Sequence, residues 1–166
     1  GKPIAGTDEA LRKFWRWFSG SKIVDEGGRP LVVYHGSAST EITKFMPNGN
    51  GEGSDKSLNN FRKSVASNSK FGYMGFRSGT FFSPDAEYAG HYTGENGGAM
   101  YPSYIKAESP VYKDQISGKV TSTQGRTPDA LIMSEGSVMN EIAVIDPLQV
   151  KSATGNSGEF NPENPD

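Results

Sequence analysis

The sequence predicts an α+β domain, and three observations lead to it. The 166 residues include 21 glycines and 10 prolines, which points to many turns and long loops rather than a helical bundle. Apolar segments of strand length are separated by long polar connections, and nothing alternates with the regularity of a doubly wound parallel sheet. Hydrophobic residues make up only 34% of the chain, but 11% of it is aromatic, enough large rings to fill one compact core. The length suits a single domain, placed at residues 1–153, with a flexible tail over 154–166.

The elements follow in order. Residues 7–19 read as an amphipathic helix: Thr7 or Asp8 caps it, and Gly20 ends it. Leu11, Phe14, Trp15 and Phe18 fall at helical spacing and form its docking face. A turn over residues 25–30 leads into a buried strand, Leu31 to His35, which breaks at Gly36. Residues 47–78 form a polar insertion rich in Gly, Asn and Ser, within which 57–66 has the pattern of a short helix. Gly79 to Ser83 is a short strand. Ser83-Pro84 then offers a capping hydroxyl and a first-turn proline for a helix reaching about Tyr92. A Gly-rich loop over 93–100 precedes a strand from Tyr101 to Ala107, and residues 113–128 read as a loop or short excursion. Ala130 to Met133 and Glu141 to Ile145 are further strands, the last closed by Asp146-Pro147.

Composition excludes several functions. A net charge of −2 gives no broad electrostatic hold on nucleic acid. No run of eighteen apolar residues exists to span a membrane, and the N-terminus lacks a charged-then-apolar leader. Absence of cysteine removes disulfides, thiolate catalysis and Cys-based zinc sites, and two histidines, His35 and His91, do not make a His-rich metal site.

Three features carry chemistry. His35 ends an apolar strand and is followed by Gly36, which lets a ligand approach the main chain; a histidine satisfied by hydrogen bonds at a strand end is the plainer reading. Phe81, Phe82, Tyr88 and Tyr92 surround one strand–helix corner, as core packing or as faces for a flat ring. Strand alternation turns Phe81 and Phe82 to opposite faces, so one of them at most lines any given cleft. Glu141 begins an apolar strand, where a carboxylate is oriented by the sheet to stabilise a cation or bind a sugar hydroxyl, or else is a solvated strand-end charge.

Taken in order, Val33-Tyr34-His35-Gly36-Ser37, then Gly79-Thr80-Phe81-Phe82-Ser83 with a helix ending at Tyr92, then Asn140-Glu141-Ile142-Ala143-Val144-Ile145-Asp146, resemble the ADP-ribosyltransferase superfamily. The resemblance is to its His-Tyr-Glu branch of diphtheria-type toxins and poly(ADP-ribose) polymerases. Trp17-Phe18, Lys22 to Asp25, Pro30 to Gly36 and the run from Asp146-Pro147 to Asn156 are more similar still to the ADP-ribosyltransferase-like domains of phage and prophage polyvalent or MuF-type proteins. The resemblance implies split antiparallel β-sheets with short flanking helices and long loops. It also implies NAD as substrate, with no metal. His35 would bond the adenosine ribose, the Gly36 backbone would grip the carboxamide, and Phe81 and Tyr92 would flank the nicotinamide ring, with Ser37 beside them in the NAD-binding strand. Glu141 would hold the nicotinamide-ribose hydroxyl and stabilise the oxocarbenium-like transition state, so the catalytic pair is Glu141 and His35.

Two departures stand out against that branch: Phe81 occupies a position usually Tyr, and Ala89 one where polymerases place a Ser. Arginine-modifying relatives carry Glu or Gln two residues before the catalytic Glu; Met139 here speaks against an arginine acceptor. The implied function is a mono-ADP-ribosyltransferase toxin or effector, secreted or delivered into a target-cell cytoplasm, with NAD glycohydrolysis as a side activity. Its implied partners are NAD, a protein or nucleic-acid acceptor and an immunity protein, with no membrane; the chain is expected to be a monomer. The polar stretch 47–75, with Lys56, Arg62, Lys63 and Lys70, is the expected acceptor surface. The alternatives are a catalytically silent module on the same fold, and a metal-free nuclease using His35 and His91 as an acid–base pair.

Overall fold

The computed structural model describes residues 4–45, 76, 79–95, 97–121 and 125–154. Helix α1 (Asp8–Phe18) starts where the Thr7 side chain accepts the Ala10 N–H, and Gly20 follows it at φ +83°, a left-handed conformation that costs glycine little. Phe14 and Phe18 are buried, and Phe14 meets Tyr104 at 5.0 Å. The docking face is therefore Ala10, Phe14 and Phe18 with Trp17, whereas Trp15, expected on it, is 44% exposed.

The strands are β1 (Val33–Ser37), β2 (Thr80–Phe82), β3 (Ala99–Ile105), β4 (Pro110–Asp114), β5 (Ala130–Glu135), β6 (Val138–Val144) and β7 (Val150–Ser152). Helix α2 (Ala86–Gly90) and a 3₁₀ turn (His91–Thr93) lie between β2 and β3. Two sheets result, β1-β3-β7 and β2-β6-β5-β4, which is the α+β ADP-ribosyltransferase-like architecture expected from the sequence. The first sheet is antiparallel throughout; in the second, β4 and β5 run parallel. The last two residues of β4 extend into the stretch 113–128 read as a loop or short excursion.

Other boundaries also move. The first strand does not break at Gly36 but continues to Ser37, because Gly36 pairs with Met100 and Ser37 with Ala99. Glu141 lies inside β6 rather than at its start. The cap of α2 is Asp85, which accepts from Glu87 and Tyr88 N–H groups, and not Ser83. Helix α2 ends at Gly90, leaving Tyr92 on the 3₁₀ turn. The short helix expected over 57–66, the acceptor surface at 47–75 and the tail from 155 onward fall outside the described residues.

The main core lies between the sheets, with Val33, Ile105 and Val150 from one meeting Phe82, Ile132, Ile142 and Val144 from the other. Phe76, Val111, Leu131, Ala143 and Ile145 cover the opposite face of the four-stranded sheet. The sheets touch through Tyr34 and Ser83, whose backbones exchange two hydrogen bonds of 2.8 and 2.9 Å. A cleft opens at this join. No helix among the described residues is long and apolar enough to cross a membrane.

Candidate active site

A cleft of about 390 Å³ is lined by His35 and Gly36 of β1, Phe81 and Phe82 of β2, Tyr88 and Ala89 of α2, Tyr92 and Glu141, among others. Its volume is within the range of small-molecule sites. Five of the six residues proposed from the sequence thus line one cavity. The sixth, Ser37, does not; its hydroxyl accepts the Ser39 N–H at 3.1 Å as the chain turns away.

Ser83 holds the site's elements together. Its hydroxyl is 3% exposed, donates to the Asn140 carbonyl at 2.8 Å, and accepts the Asp85 N–H at 3.1 Å. One side chain therefore ties the end of β2 to the start of α2 and to the strand that carries Glu141. The sequence marked Ser83 as a helix cap; its oxygen instead accepts the N–H of Asp85, the residue whose carboxylate caps α2.

Glu141 follows a β-bulge. Met133 pairs with Glu141 but Ser134 with Met139, so Asn140 is the extra residue. Bulges bend a strand and re-aim its side chains. The Asn140 amide donates to the Gln115 Oε1 at 3.2 Å, which secures the bulge from the β4 side. The Glu141 carboxylate is half-buried and accepts from the Tyr88 phenol at 3.2 Å.

Both Phe81 and Phe82 line the cleft, against the expectation of one. Strand β2 is an edge strand, and the cavity wraps around it. Phe81 pairs with Ala143 and so has the same strand parity as Glu141. Phe82 turns into the core, 5.6 Å from the His35 ring and 5.3 Å from Phe45. Phe45 was not singled out from the sequence. It is buried at the end of a strap that crosses over from β1 and is pinned by Tyr101, whose hydroxyl donates to the Ser39 carbonyl and accepts from Ile42 N–H. The strap also brings Lys44 to the cleft, its one fixed positive charge among the described residues.

The Nδ1–H of His35 donates to the Phe81 carbonyl at 2.7 Å. A carbonyl can only accept, so in the neutral ring Nε2 is left as an acceptor. Burial lowers the His35 pKa below the usual imidazole value, and the Phe81 hydrogen bond opposes this. A folded-state pKa below the unfolded one means that the unfolded chain takes up the proton first. Stability is then full above about pH 6.5 and falls as pH drops from there toward the folded value. Melting temperatures measured from pH 7.5 to 5.5 are expected to decline in the wild type and to decline less in His35→Gln. Equal slopes would remove His35 as the cause.

His91 is exposed and does not line the cleft; its ring lies 6.4 Å from that of Tyr88. The structure therefore does not bring the two histidines into one site, as the nuclease reading needs.

A family model described as ADP-ribosyltransferase in polyvalent proteins matches residues 25–127. The chain belongs to this family. The match covers β1, the strap, β2, α2, Tyr92, β3 and β4. The strand bearing Glu141 lies beyond the match, and Glu141 lines the same cleft as the matched residues. No curated protein matches the chain.

Proposed function

We propose that this domain is an NAD-dependent mono-ADP-ribosyltransferase that moves ADP-ribose from NAD to a macromolecular acceptor and releases nicotinamide. The observation that carries the reading is the carboxylate of Glu141 at a cleft faced by Phe81, Tyr88 and Tyr92, with neutral His35 on the same cavity. The nicotinamide ring of NAD is a cation, and aromatic faces beside a carboxylate suit it. Breaking its glycosidic bond moves the bonding pair onto nicotinamide, which leaves neutral, while positive charge grows on the ribose. Glu141 faces that charge as it develops. The acceptor's nucleophile then forms the new bond to the same ribose carbon and gives its proton to solvent. Nε2 of His35 accepts from a hydroxyl of the adenosine ribose, and the Gly36 backbone grips the carboxamide. Lys44 offsets the pyrophosphate charge. Phe81 keeps a ring face without the hydroxyl of a Tyr, and buried Ala89 offers no side-chain hydroxyl to the carboxamide.

A toxin or effector delivered to a target cell and held in check by an immunity protein is the context we propose. The reading is tested by incubating the domain with adenine-labelled NAD and cell lysate, then digesting with protease or nuclease. Label retained on a macromolecule and lost to one of the two digestions is the expected result. NAD consumed with no label on any macromolecule would mark a glycohydrolase. NAD left intact would point to a catalytically silent module.

A further inference from the structure

The Tyr88 ring faces the cleft, and its hydroxyl, which has no part in the chemistry described so far, touches the Glu141 carboxylate. Tyr88 on α2 and Tyr92 on the turn that follows are four residues apart, a spacing that puts both on one face. The Tyr88 hydroxyl is 3.2 Å from Glu141 Oε1 and 3.2 Å from the Tyr92 hydroxyl. A carboxylate only accepts, so Tyr88 donates to Glu141, and its oxygen is left to accept from Tyr92. The result is a directional chain from Tyr92 through Tyr88 to Glu141. Among the described residues, Tyr88 is the one side chain bonded to that carboxylate.

We infer that Tyr88 is a positioning residue for Glu141, holding one carboxylate oxygen so that the other is presented to the substrate ribose, with the Tyr92 hydroxyl fixing the direction of the Tyr88 phenol. The inference rests on the proposed transferase reading. Its physical basis is preorganisation: a carboxylate already oriented needs less rearrangement as charge develops. The surroundings make a fixed carboxylate more necessary. Tyr88, Ser83 and Glu141 also line a second cavity of about 580 Å³ that reaches Gln115, Glu135 and Val138. Glu141 therefore borders both cavities, and the Tyr88 hydrogen bond is its side-chain anchor between them.

The test compares nicotinamide release by the wild type, Tyr88→Phe, Tyr92→Phe and the double variant, and adds NMR of ring-carbon-labelled tyrosine. Tyr88 is 38% exposed, so losing its hydroxyl leaves the fold intact. Tyr88→Phe is expected to lower kcat about five- to tenfold with KM for NAD within about twofold, the effect of one hydrogen bond made to a reacting group. The double variant falls no further than Tyr88→Phe, because the Tyr92 hydroxyl acts through Tyr88. The Tyr88 signal, assigned by its loss in Tyr88→Phe, titrates above the ordinary phenol range and moves down in Glu141→Gln. Unchanged kcat, a rise in KM alone, or effects that multiply in the double variant would each overturn the inference. A wild type that releases no nicotinamide overturns the transferase reading instead. The NMR titration then still decides the Tyr88 question, since a signal indifferent to Glu141→Gln shows that the two groups are not bonded.

Discussion

Gly36→Ala is expected to lower the melting temperature by about 10 °C and to abolish NAD turnover. A Cβ built on Gly36 would lie 1.8 Å from the Ala89 carbonyl oxygen and 2.9 Å from its carbon. These are backbone atoms of α2 and have no side-chain torsion with which to yield. Strand β1 cannot move away either, because it is paired to β3 over five residues and bonded to Ser83 through Tyr34. Helix α2 must therefore shift, and with it go the Asp85 cap and the placement of Tyr88 and Tyr92. Overpacking of this kind costs about 3 kcal/mol. A domain of this size loses roughly 2–4 °C per kcal/mol. Thermal melts and NAD calorimetry check the two halves of the prediction. A variant melting within about 2 °C of the wild type and binding NAD normally would show that α2 does not rest on Gly36.

The second large effect is expected at Glu141. Glu141→Gln keeps the shape of the side chain and can still accept the Tyr88 hydroxyl, but it removes the charge. The lost stabilisation of a developing cation is about a thousandfold in kcat, or roughly 4 kcal/mol. Stability should change little, because the group is only half-buried and accepts from a single phenol. Melting temperature and single-turnover rate measured on the same preparation separate these effects. A slow variant that also melts early would place Glu141 in the fold rather than in the chemistry.

The parts of this site legible in the sequence are those set by local pattern. Thr7 and Gly20 bracket α1 by cap chemistry that needs no partner. The order of His35-Gly36, Phe81 and Tyr92, and Asn140-Glu141 along the chain pointed to one cleft through its resemblance to ADP-ribosyltransferases, and all of these but Asn140 line it. What escaped depends on contacts between distant segments. Strand β4 begins at Pro110 and forms the edge of its sheet. Proline suits a strand's first residue or an edge, and only the parallel pairing with β5 makes this segment a strand. The bulge at Asn140 exists only against β5, so the sequence put Glu141 at a strand start. Ser83 reads locally as a helix cap, and only the folded chain supplies the Asn140 carbonyl that takes its hydroxyl. Phe45, Lys44 and Tyr101 come together through a strap whose anchor is 59 residues away from Ile42 in sequence. The polar stretch expected to meet the acceptor lies outside the described residues.

In the proposed mechanism Glu141 drives cleavage of NAD in the cleft between the two sheets. Nicotinamide released from NAD, followed over time for the wild-type domain beside Glu141→Gln with and without lysate, tests it most directly. Release by the wild type is expected, faster when lysate supplies an acceptor, with near-complete loss in the variant. Equal release by both proteins, or none from the wild type under either condition, would contradict it.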